Sequence, residues 1–286
     1  PKLIFRFGNC MSLNLPLTVA KFGGTSLKDH AAMLRCADIV LYNPSIRLVV
    51  VSASAGVTNM PVELASREIS VSQSNQLIAD IKQFQYSIIE SLSDKLESRL
   101  YIDNQLDLLK SFSEQLQSQY SLKLADEILA FGERFSSYIF TKILIERANT
   151  KAESAKISCI DAREIITTDS RFSHARPDLQ AIQANSDVKL SPYLADNVYV
   201  TQGFVGQDQF GNTTTLGRGG SDFSAALLAE AVGADTLQIW TDVAGIYSSD
   251  PRIVANAKPI QTISFSEAAE LATFGAKVLH PATLLP

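Results

Sequence analysis

Hydrophobic residues along this chain form short continuous runs separated by longer amphipathic stretches. Runs rich in Val and Ile, without strict alternation, predict strands that are covered on both faces. Strands that alternate with helices indicate an α/β fold, which we predict to be a three-layer αβα sandwich with an open, mainly parallel central sheet. The predicted strands are 17–21, 46–52, 155–160, 197–205 and 236–241, and the clearest predicted helices are 29–42, 223–232 and 266–274.

One long part of the chain has a different composition. Residues 57–131 contain no glycine, and their only proline is Pro61. Apolar residues recur there at helical spacing, which predicts several helices rather than a linker. We interpret about 62–150 as a helical insertion in the α/β domain. The spacing is clearest at Ile78, Ile81, Phe84, Ile88 and Ile89.

Composition and charge narrow the class of protein. The chain has 286 residues, of which 46% are hydrophobic and 19% charged, which is typical of a protein with a packed core. With a net charge of −5 we expect neither a nucleic-acid nor a membrane partner, and any anion site must be local. The three cysteines, Cys10, Cys36 and Cys159, lack metal-ligand spacing. We interpret Cys36 and Cys159 as buried thiols, and a cytoplasmic location is expected.

The first residues have a different interpretation from the rest. The segment before Met11 is mildly basic but has no long apolar stretch and no small-residue cleavage site. We interpret residues 1–15 as a tag, an upstream extension or a loose end. The domain itself is predicted to span 16–286.

Two glycine pairs are the most informative motifs. KFGGTS covers Lys21–Ser26, and TTTLGRGGSD covers Thr213–Asp222; each lies where a strand is predicted to lead into a helix. Glycines let a backbone approach a ligand closely, and helix N-termini attract anions. Neither loop matches GxxxxGK[ST] or GxGxxG, and a Gly-Gly pair alone is more often a tight turn. The neighbouring Lys21, Arg218 and Asp222 favour a site for a phosphorylated ligand.

Two further segments carry polar residues next to predicted strands or helices. SASAGVTN places Ser52 and Thr58 at the carboxyl end of a strand, where open α/β sheets bind ligands, although a helix cap is the alternative. FGERFSS places Glu133 near the apolar side of a helix, where a carboxylate needs a partner. A substrate ammonium is one candidate partner, and an exposed Glu-Arg pair is the alternative.

The C-terminal part offers residues for a nucleotide. WTDVAGIYSSDPR starts at the end of the last predicted strand and carries Asp242, Tyr247 and Arg252. These residues are candidates for binding an adenine and its phosphates. FGAKVLHP adds Lys277 after a glycine. The alternatives are a polar surface loop and a solvated lysine.

Taken in order, KFGGTS, SASAGVTN, FGE, TQGF, TTTLGRGGSD, IWTDVAGIYSSDPR and FGAKVLHPATLLP resemble the motifs of aspartate kinases in the amino-acid kinase superfamily. The resemblance runs from about Val19 to the last residue and is strongest to the lysine-sensitive, monofunctional enzymes. GRGGSD with TDV-GIY-DPR is highly specific, whereas KFGGTS also occurs in close relatives.

The resemblance implies a role for each motif residue. Lys21 and Ser52 would contact the transferring phosphoryl group, and Asp222 would organise the lysine and the phosphoryl donor. Aspartate would be held by Thr58, Glu133, Arg218, Gly219, Gly220 and Ser221. ATP, with Mg2+ bound to it, would be held by Lys21, Gly23, Gly24, Thr241, Asp242, Tyr247, Arg252, Lys277 and Val278; no separate metal site is expected.

The resemblance also implies the reaction. Transfer of the ATP γ-phosphoryl group to the side-chain carboxylate of L-aspartate would give 4-phospho-L-aspartate, the first step of lysine, threonine and methionine biosynthesis. That carboxylate has a pKa of about 4, so no general base is needed. The alternatives are a glutamate or acetylglutamate kinase and a non-catalytic amino-acid-binding fragment. The family continues beyond the stretch that ends at Pro286 with two ACT modules, which would carry regulation, and the full-length form is expected to be a homo-oligomer.

Overall fold

A computed structural model describes residues 2–6, 16–151 and 156–241, together with positions 254, 256 and 258. The strands are β1 (Lys2–Arg6), β2 (Thr18–Phe22), β3 (Ile46–Val51), β4 (Lys156–Ile160), β5 (Thr167–Thr168), β6 (Asn197–Gln202), β7 (Val205–Asp208), β8 (Thr213–Thr215) and β9 (Thr236–Trp240). The helices are α1 (His30–Tyr42), α2 (Asn59–Leu64), α3 (Val71–Ile89), α4 (Lys95–Ser118), α5 (Leu122–Leu129), α6 (Phe131–Thr150), α7 (Leu179–Lys189) and α8 (Gly220–Ala231).

The central sheet has the strand order β1-β9-β2-β3-β6-β4. Its five strands from β9 to β4 are parallel, and β1 pairs antiparallel with β9 at one edge. A second, three-stranded sheet has the order β5-β7-β8. The prediction of an α/β fold with a mainly parallel sheet is therefore confirmed.

Helices cover the central sheet on both faces. Successive side chains of a strand point to opposite sides, so the apolar residues of each strand are divided between two cores. Ala20, Phe22, Val49 and Val51 belong to a core cluster that includes residues of α1 and α6. Val19, Leu48, Val50 and Leu237 belong to a second cluster, which includes residues of α7 and α8. This double coverage explains the continuous apolar runs and confirms the three-layer sandwich.

The region predicted to be a helical insertion is helical. It forms α2 to α6, and a capping box at Ser70 and Gln73 begins α3. The helix α6 also packs on the sheet, because its side chains join the core cluster of β2 and β3. Stacked rings of Tyr101 and Tyr138, 3.6 Å apart, connect α4 to α6. Within the described residues, no helix is long and apolar enough to cross a membrane.

The structure corrects two details of the sequence interpretation. The predicted strand 197–205 is divided between β6 and β7, which belong to different sheets. Between them Phe204 has a φ of 68°, and a Cβ on Gly203 would lie 2.6 Å from that of Ser221, so a bend places the chain against α8. Cys36 is buried as predicted, but Cys159 is exposed because it lies on the edge strand β4.

The first residues form a strand that the sequence pattern did not predict. Residues 2–6 pair antiparallel with β9 over five positions, from Lys2 opposite Trp240 to Arg6 opposite Thr236. Chain termini become ordered when a neighbouring strand satisfies their backbone groups. Residues 2–6 are therefore paired in a strand, while the interpretation of residues 1–15 as a tag, an upstream extension or a loose end stays a prediction.

Candidate active site

A cavity of about 270 Å³ opens at the carboxyl ends of β2 and β3. This is the edge at which open α/β sheets bind ligands. Residues from five separate parts of the sequence line it. Nine of the predicted site residues line it: Lys21, Ser52, Thr58, Glu133, Arg218, Gly219, Gly220, Ser221 and Asp222.

Lys21 lies near the end of β2, with Val50 of β3 and Ile239 of β9 as its neighbours in the sheet. Only 7% of the residue is exposed. Its Nζ lies 2.6 Å from Oδ1 of Asp222, in the first turn of α8. A buried charge requires such a partner. The ion pair joins the first glycine motif to the second and holds a cation at the cavity.

The second glycine motif forms the N-terminus of α8. Gly219 is the N-cap and has a φ of 76°, a left-handed conformation that glycine adopts without strain. The following residues, Gly220 to Asp222, form the first turn and line the cavity. Because the N-terminal end of a helix carries partial positive charge, this turn favours a bound anion. The first motif differs, since a 3-10 helix over Gly24–Leu27 precedes α1.

Glu133 lies in the first turn of α6 and is 7% exposed. Its Oε1 accepts a hydrogen bond from the backbone N–H of Ala53 at 3.0 Å. Burial raises the pKa of Glu133 to about 7, against the opposing effects of the Ala53 N–H and the charge of Lys21. A carboxylate that is costly to ionise without a partner is well suited to a substrate cation.

Ser52 and Thr58 lie on the loop between β3 and α2. The carbonyl of Ser52 accepts a hydrogen bond from the Ser136 hydroxyl at 2.8 Å, which ties this loop to α6. The Thr58 hydroxyl donates to the carbonyl of Ser54 at 3.2 Å and does not cap α2. The alternative of a hydroxyl helix cap is therefore wrong for Thr58.

The residues predicted to bind ATP are only partly within the described structure. The N–H of Gly23 donates to the carbonyl of Trp240 at 3.1 Å, and the carbonyl of Gly24 accepts from the N–H of Ala55 at 2.9 Å. Thr241 follows β9 directly. These three positions lie beside the cavity rather than in its lining. Asp242, Tyr247, Arg252, Lys277 and Val278 lie outside the described residues, so their roles stay predictions.

A sequence model of the amino acid kinase family matches residues 16–286. The chain belongs to the amino acid kinase family. It is 46% identical to lysine-sensitive aspartokinase 3 of Escherichia coli over 270 residues, which cover 94% of this chain and 59% of the relative. It is 38% identical to an aspartokinase of Chlamydia muridarum over 272 residues, 94% of this chain and 57% of the relative. This amino acid kinase chain thus spans less than two thirds of these relatives.

A solved structure gives the same picture. The crystal structure of E. coli aspartokinase III in complex with aspartate and ADP superposes with a TM-score of 0.89 at 46% identity. The match covers 94% of this chain and 59% of the crystallised chain. The similarity therefore extends over both the sheet and the helical region of this amino acid kinase.

Sequence reasoning missed several residues of the cavity. Apolar residues of the helical region form part of the cavity lining. No motif predicted this, because apolar lining residues have the same sequence pattern as ordinary core residues. Gly132, beside Glu133, was a signal, because a glycine near a helix start often marks a close approach of two backbones. The additional lining residues are Ala53, Pro61, Val62, Leu129, Gly132, Phe204 and Gly217. The described residues hold no group of three or more His, Cys, Asp or Glu that could bind a metal ion.

Gly132 is expected to be intolerant of a side chain. A Cβ at this position would lie 2.7 Å from the Cβ of Ala53, so Gly132→Ala must push the loop from α6 and strain the Glu133–Ala53 hydrogen bond. We expect a loss of about 1–3 kcal/mol in the free energy of unfolding, measured by urea titration. The double variant Gly132→Ala/Ala53→Gly exchanges the two methyl groups and should recover most of the loss. A double variant no more stable than Gly132→Ala would contradict this contact.

Glu133→Gln is expected to stabilise the protein in a pH-dependent way. The carboxyl ionises near 4.5 when unfolded and near 7 when folded, so the free energy of unfolding falls as pH rises between these values. Glutamine removes this cost, on the order of 3 kcal/mol above that window, and can still accept from Ala53. The Tm of the variant should exceed that of the wild type above pH 7 and converge with it towards pH 4.5. The exposed Glu63→Gln is the control, and a Tm difference that is constant with pH at Glu133 would contradict the raised pKa.

Proposed function

We propose that this chain carries the catalytic site of an aspartate kinase, which transfers the γ-phosphoryl group of ATP to the side-chain carboxylate of L-aspartate. The product would be 4-phospho-L-aspartate. The observation that carries the proposal is the meeting of Glu133, Arg218 and the Lys21–Asp222 pair in one cavity. The similarity to E. coli aspartokinase III, crystallised with aspartate and ADP, supports it.

The acceptor side of the cavity fits a free amino acid. Glu133 offers a buried carboxylate for the α-ammonium, and Arg218 offers a guanidinium that can hold a carboxylate with two hydrogen bonds. Thr58 and Ser221 line the same cavity and supply hydroxyl groups. A bound ammonium would favour the ionised form of Glu133, so substrate binding offsets the cost of burying that charge.

The phosphoryl side requires positioning and charge neutralisation rather than acid-base chemistry. The ammonium of Lys21, held by Asp222, would balance the negative charge on the transferring group. Ser52 and the backbone N–H groups of the first turn of α8 add polar groups to the same cavity. The acceptor carboxylate is already ionised at neutral pH, so no side chain needs to remove a proton.

The donor would be ATP accompanied by Mg2+. Gly23, Gly24 and Thr241 lie where the ends of β2 and β9 meet, which is a suitable place for part of the nucleotide. Mg2+ is usually held by one or two carboxylates together with substrate phosphates, and among the described residues the carboxylates that line the cavity are Glu133 and Asp222. Because Glu133 serves the ammonium in this proposal, Asp222 is the one that would face the metal, whose charge assists the transfer when bound.

The same proposal includes the biosynthetic pathway, the cellular location and the oligomeric state. An aspartate kinase would act in the first step of lysine, threonine and methionine biosynthesis. We place it in the cytoplasm, and we propose that the full-length form is a homo-oligomer.

The test is an acceptor comparison with the full-length protein. ADP release from ATP and Mg2+ is measured with aspartate, glutamate, N-acetylglutamate or no acceptor, and the product is trapped with hydroxylamine as a hydroxamate. We expect turnover and trapping with aspartate alone. Faster turnover with glutamate or N-acetylglutamate would assign the chain to another branch of the family, and acceptor-independent ADP release would overturn the proposal.

A further inference from the structure

Asp126 is a fully buried carboxylate that does not line the cavity. It lies on α5, and its two oxygens accept hydrogen bonds from two distant parts of the chain. Oδ2 accepts from the backbone N–H groups of Ser173 at 2.8 Å and Thr215 at 2.9 Å. Oδ1 accepts from the hydroxyls of Thr215 at 2.9 Å and Ser173 at 3.4 Å. One carboxylate thus holds two backbone segments together.

Both segments support the loop that carries Arg218. Thr215 is the last residue of β8, and its carbonyl accepts from the N–H of Ala175 at 2.9 Å. The Ser173 turn lies against Gly217, where a Cβ would come within 3.0 Å of Cδ2 of His174 and 3.2 Å of the carbonyl of Ser173. The backbone from Thr215 to Gly217, which leads directly to Arg218, is therefore held by contacts that begin at Asp126.

The same helix also leads to the other charged group of the acceptor site. After Asp126, α5 ends at Leu129, which lines the cavity, and α6 begins at Phe131 and carries Glu133 in its first turn. Asp126 is therefore connected to Glu133 through a short helical stretch, and to Arg218 through its hydrogen bonds to Thr215, three residues earlier in the chain.

We propose that Asp126 is a positioning residue, which sets the separation of Arg218 from Glu133 so that both can hold one amino-acid acceptor. The identity of that acceptor rests on the function proposed above. The positioning itself concerns only residues of this chain.

Two substitutions of Asp126 distinguish a positioning role, which needs its hydrogen bonds, from a role that needs only the volume of the side chain. The Ser173 and Thr215 hydroxyls can accept hydrogen bonds as well as donate them. In Asp126→Asn the amide oxygen can accept from both backbone N–H groups while the amide NH2 donates to the hydroxyls. The asparagine variant should therefore keep the two segments together. Asp126→Ala leaves the two N–H groups without their acceptor and should release the loop.

The experiment compares three variants of the full-length protein with the wild type. They are Asp126→Ala, Asp126→Asn and the control Ser113→Ala, which breaks a buried 2.8 Å hydrogen bond to Ser74 in the helical region. The measurements are kcat, the KM values for aspartate and ATP, and hydrogen exchange in peptides covering 169–176 and 213–223.

We expect Asp126→Ala to raise the aspartate KM about tenfold, to leave the ATP KM within about twofold, and to speed exchange in both peptides. Asp126→Asn should stay within about threefold of the wild type in every quantity. Ser113→Ala should leave both KM values and the exchange of both peptides unchanged. In an Arg218→Ala background, Asp126→Ala should add less than about twofold to the aspartate KM, because its effect passes through Arg218.

Three results would overturn the positioning role: unchanged exchange in 213–223, equal increases in both KM values, or additive effects with Arg218→Ala. If Asp126→Ala does not fold, Thr215→Val, which removes only the hydroxyl bond, should raise the aspartate KM about threefold, and an unchanged KM would overturn the role. A wild type without aspartate-dependent turnover would defeat the proposed function instead, and hydrogen exchange would still decide the role of Asp126.

Discussion

Replacing Lys21 with alanine is expected to reduce aspartate-dependent ADP release at least about a hundredfold, since losing one such charge contact costs about 3–4 kcal/mol in the transition state. Lys21 is buried at the end of β2, and its ammonium lies in the cavity at 2.6 Å from Asp222. The loss should fall on kcat, as expected for a charge that acts mainly during phosphoryl transfer.

The test needs a folded variant, because Lys21→Ala leaves Asp222 without its partner. Lys21→Met keeps most of the side-chain volume and serves as a second variant, with circular dichroism and Tm as checks of folding. Lys28→Ala, an exposed lysine after the same glycine motif, is the matched control and should retain full turnover. A loss of less than about threefold in folded Lys21 variants would remove Lys21 from the catalytic machinery.

The layers of this fold were predictable because a strand that is buried on both faces has a continuous run of apolar residues in the sequence. β2, β3 and β9 are covered on both sides, so most of their residues are apolar and apolar residues do not strictly alternate with polar ones. The division of 197–205 was not predictable in the same way. Apolar residues typical of strands lie on both sides of the bend at Gly203, and the bend places the chain against Ser221 of α8, a contact that the local pattern does not reveal.

The site was predictable to the extent that its chemistry was concentrated in motifs. The glycine loops, Ser52, Thr58 and Glu133 were singled out and meet in one cavity. The family resemblance implied that Asp222 organises the lysine, but neither motif alone predicted the Lys21–Asp222 ion pair, since it depends on how β2 packs against α8. Asp126 was overlooked although it carries the same signal as Glu133, an acidic residue among the buried positions of a helix. The role of Asp126 can be inferred only when its distant hydrogen-bond partners, Ser173 and Thr215, are known.

Glu133→Ala is expected to raise the KM for aspartate by about ten- to a hundredfold while leaving the KM for ATP nearly unchanged. A charge-assisted hydrogen bond of this kind contributes roughly 1.5–3 kcal/mol, and its loss leaves the substrate ammonium unpaired in a buried place. Glu133→Gln separates the two roles of the side chain. It removes the charge but can keep the hydrogen bond from Ala53 that holds the loop after β3.

The aspartate KM should also depend on pH, in a direction that follows from the pKa of Glu133. Burial raises the pKa of Glu133 to about 7, so below that pH the free enzyme is increasingly protonated and must lose a proton to bind the ammonium. The KM of the wild type should therefore rise as pH falls below about 7, whereas that of Glu133→Gln should be high and nearly flat over the same range. Glu63→Gln, which changes an exposed carboxylate on α2, should follow the wild type. If the KM for ATP rises in Glu133→Gln and that for aspartate does not, Glu133 faces the nucleotide and the acceptor site must lie elsewhere in the cavity.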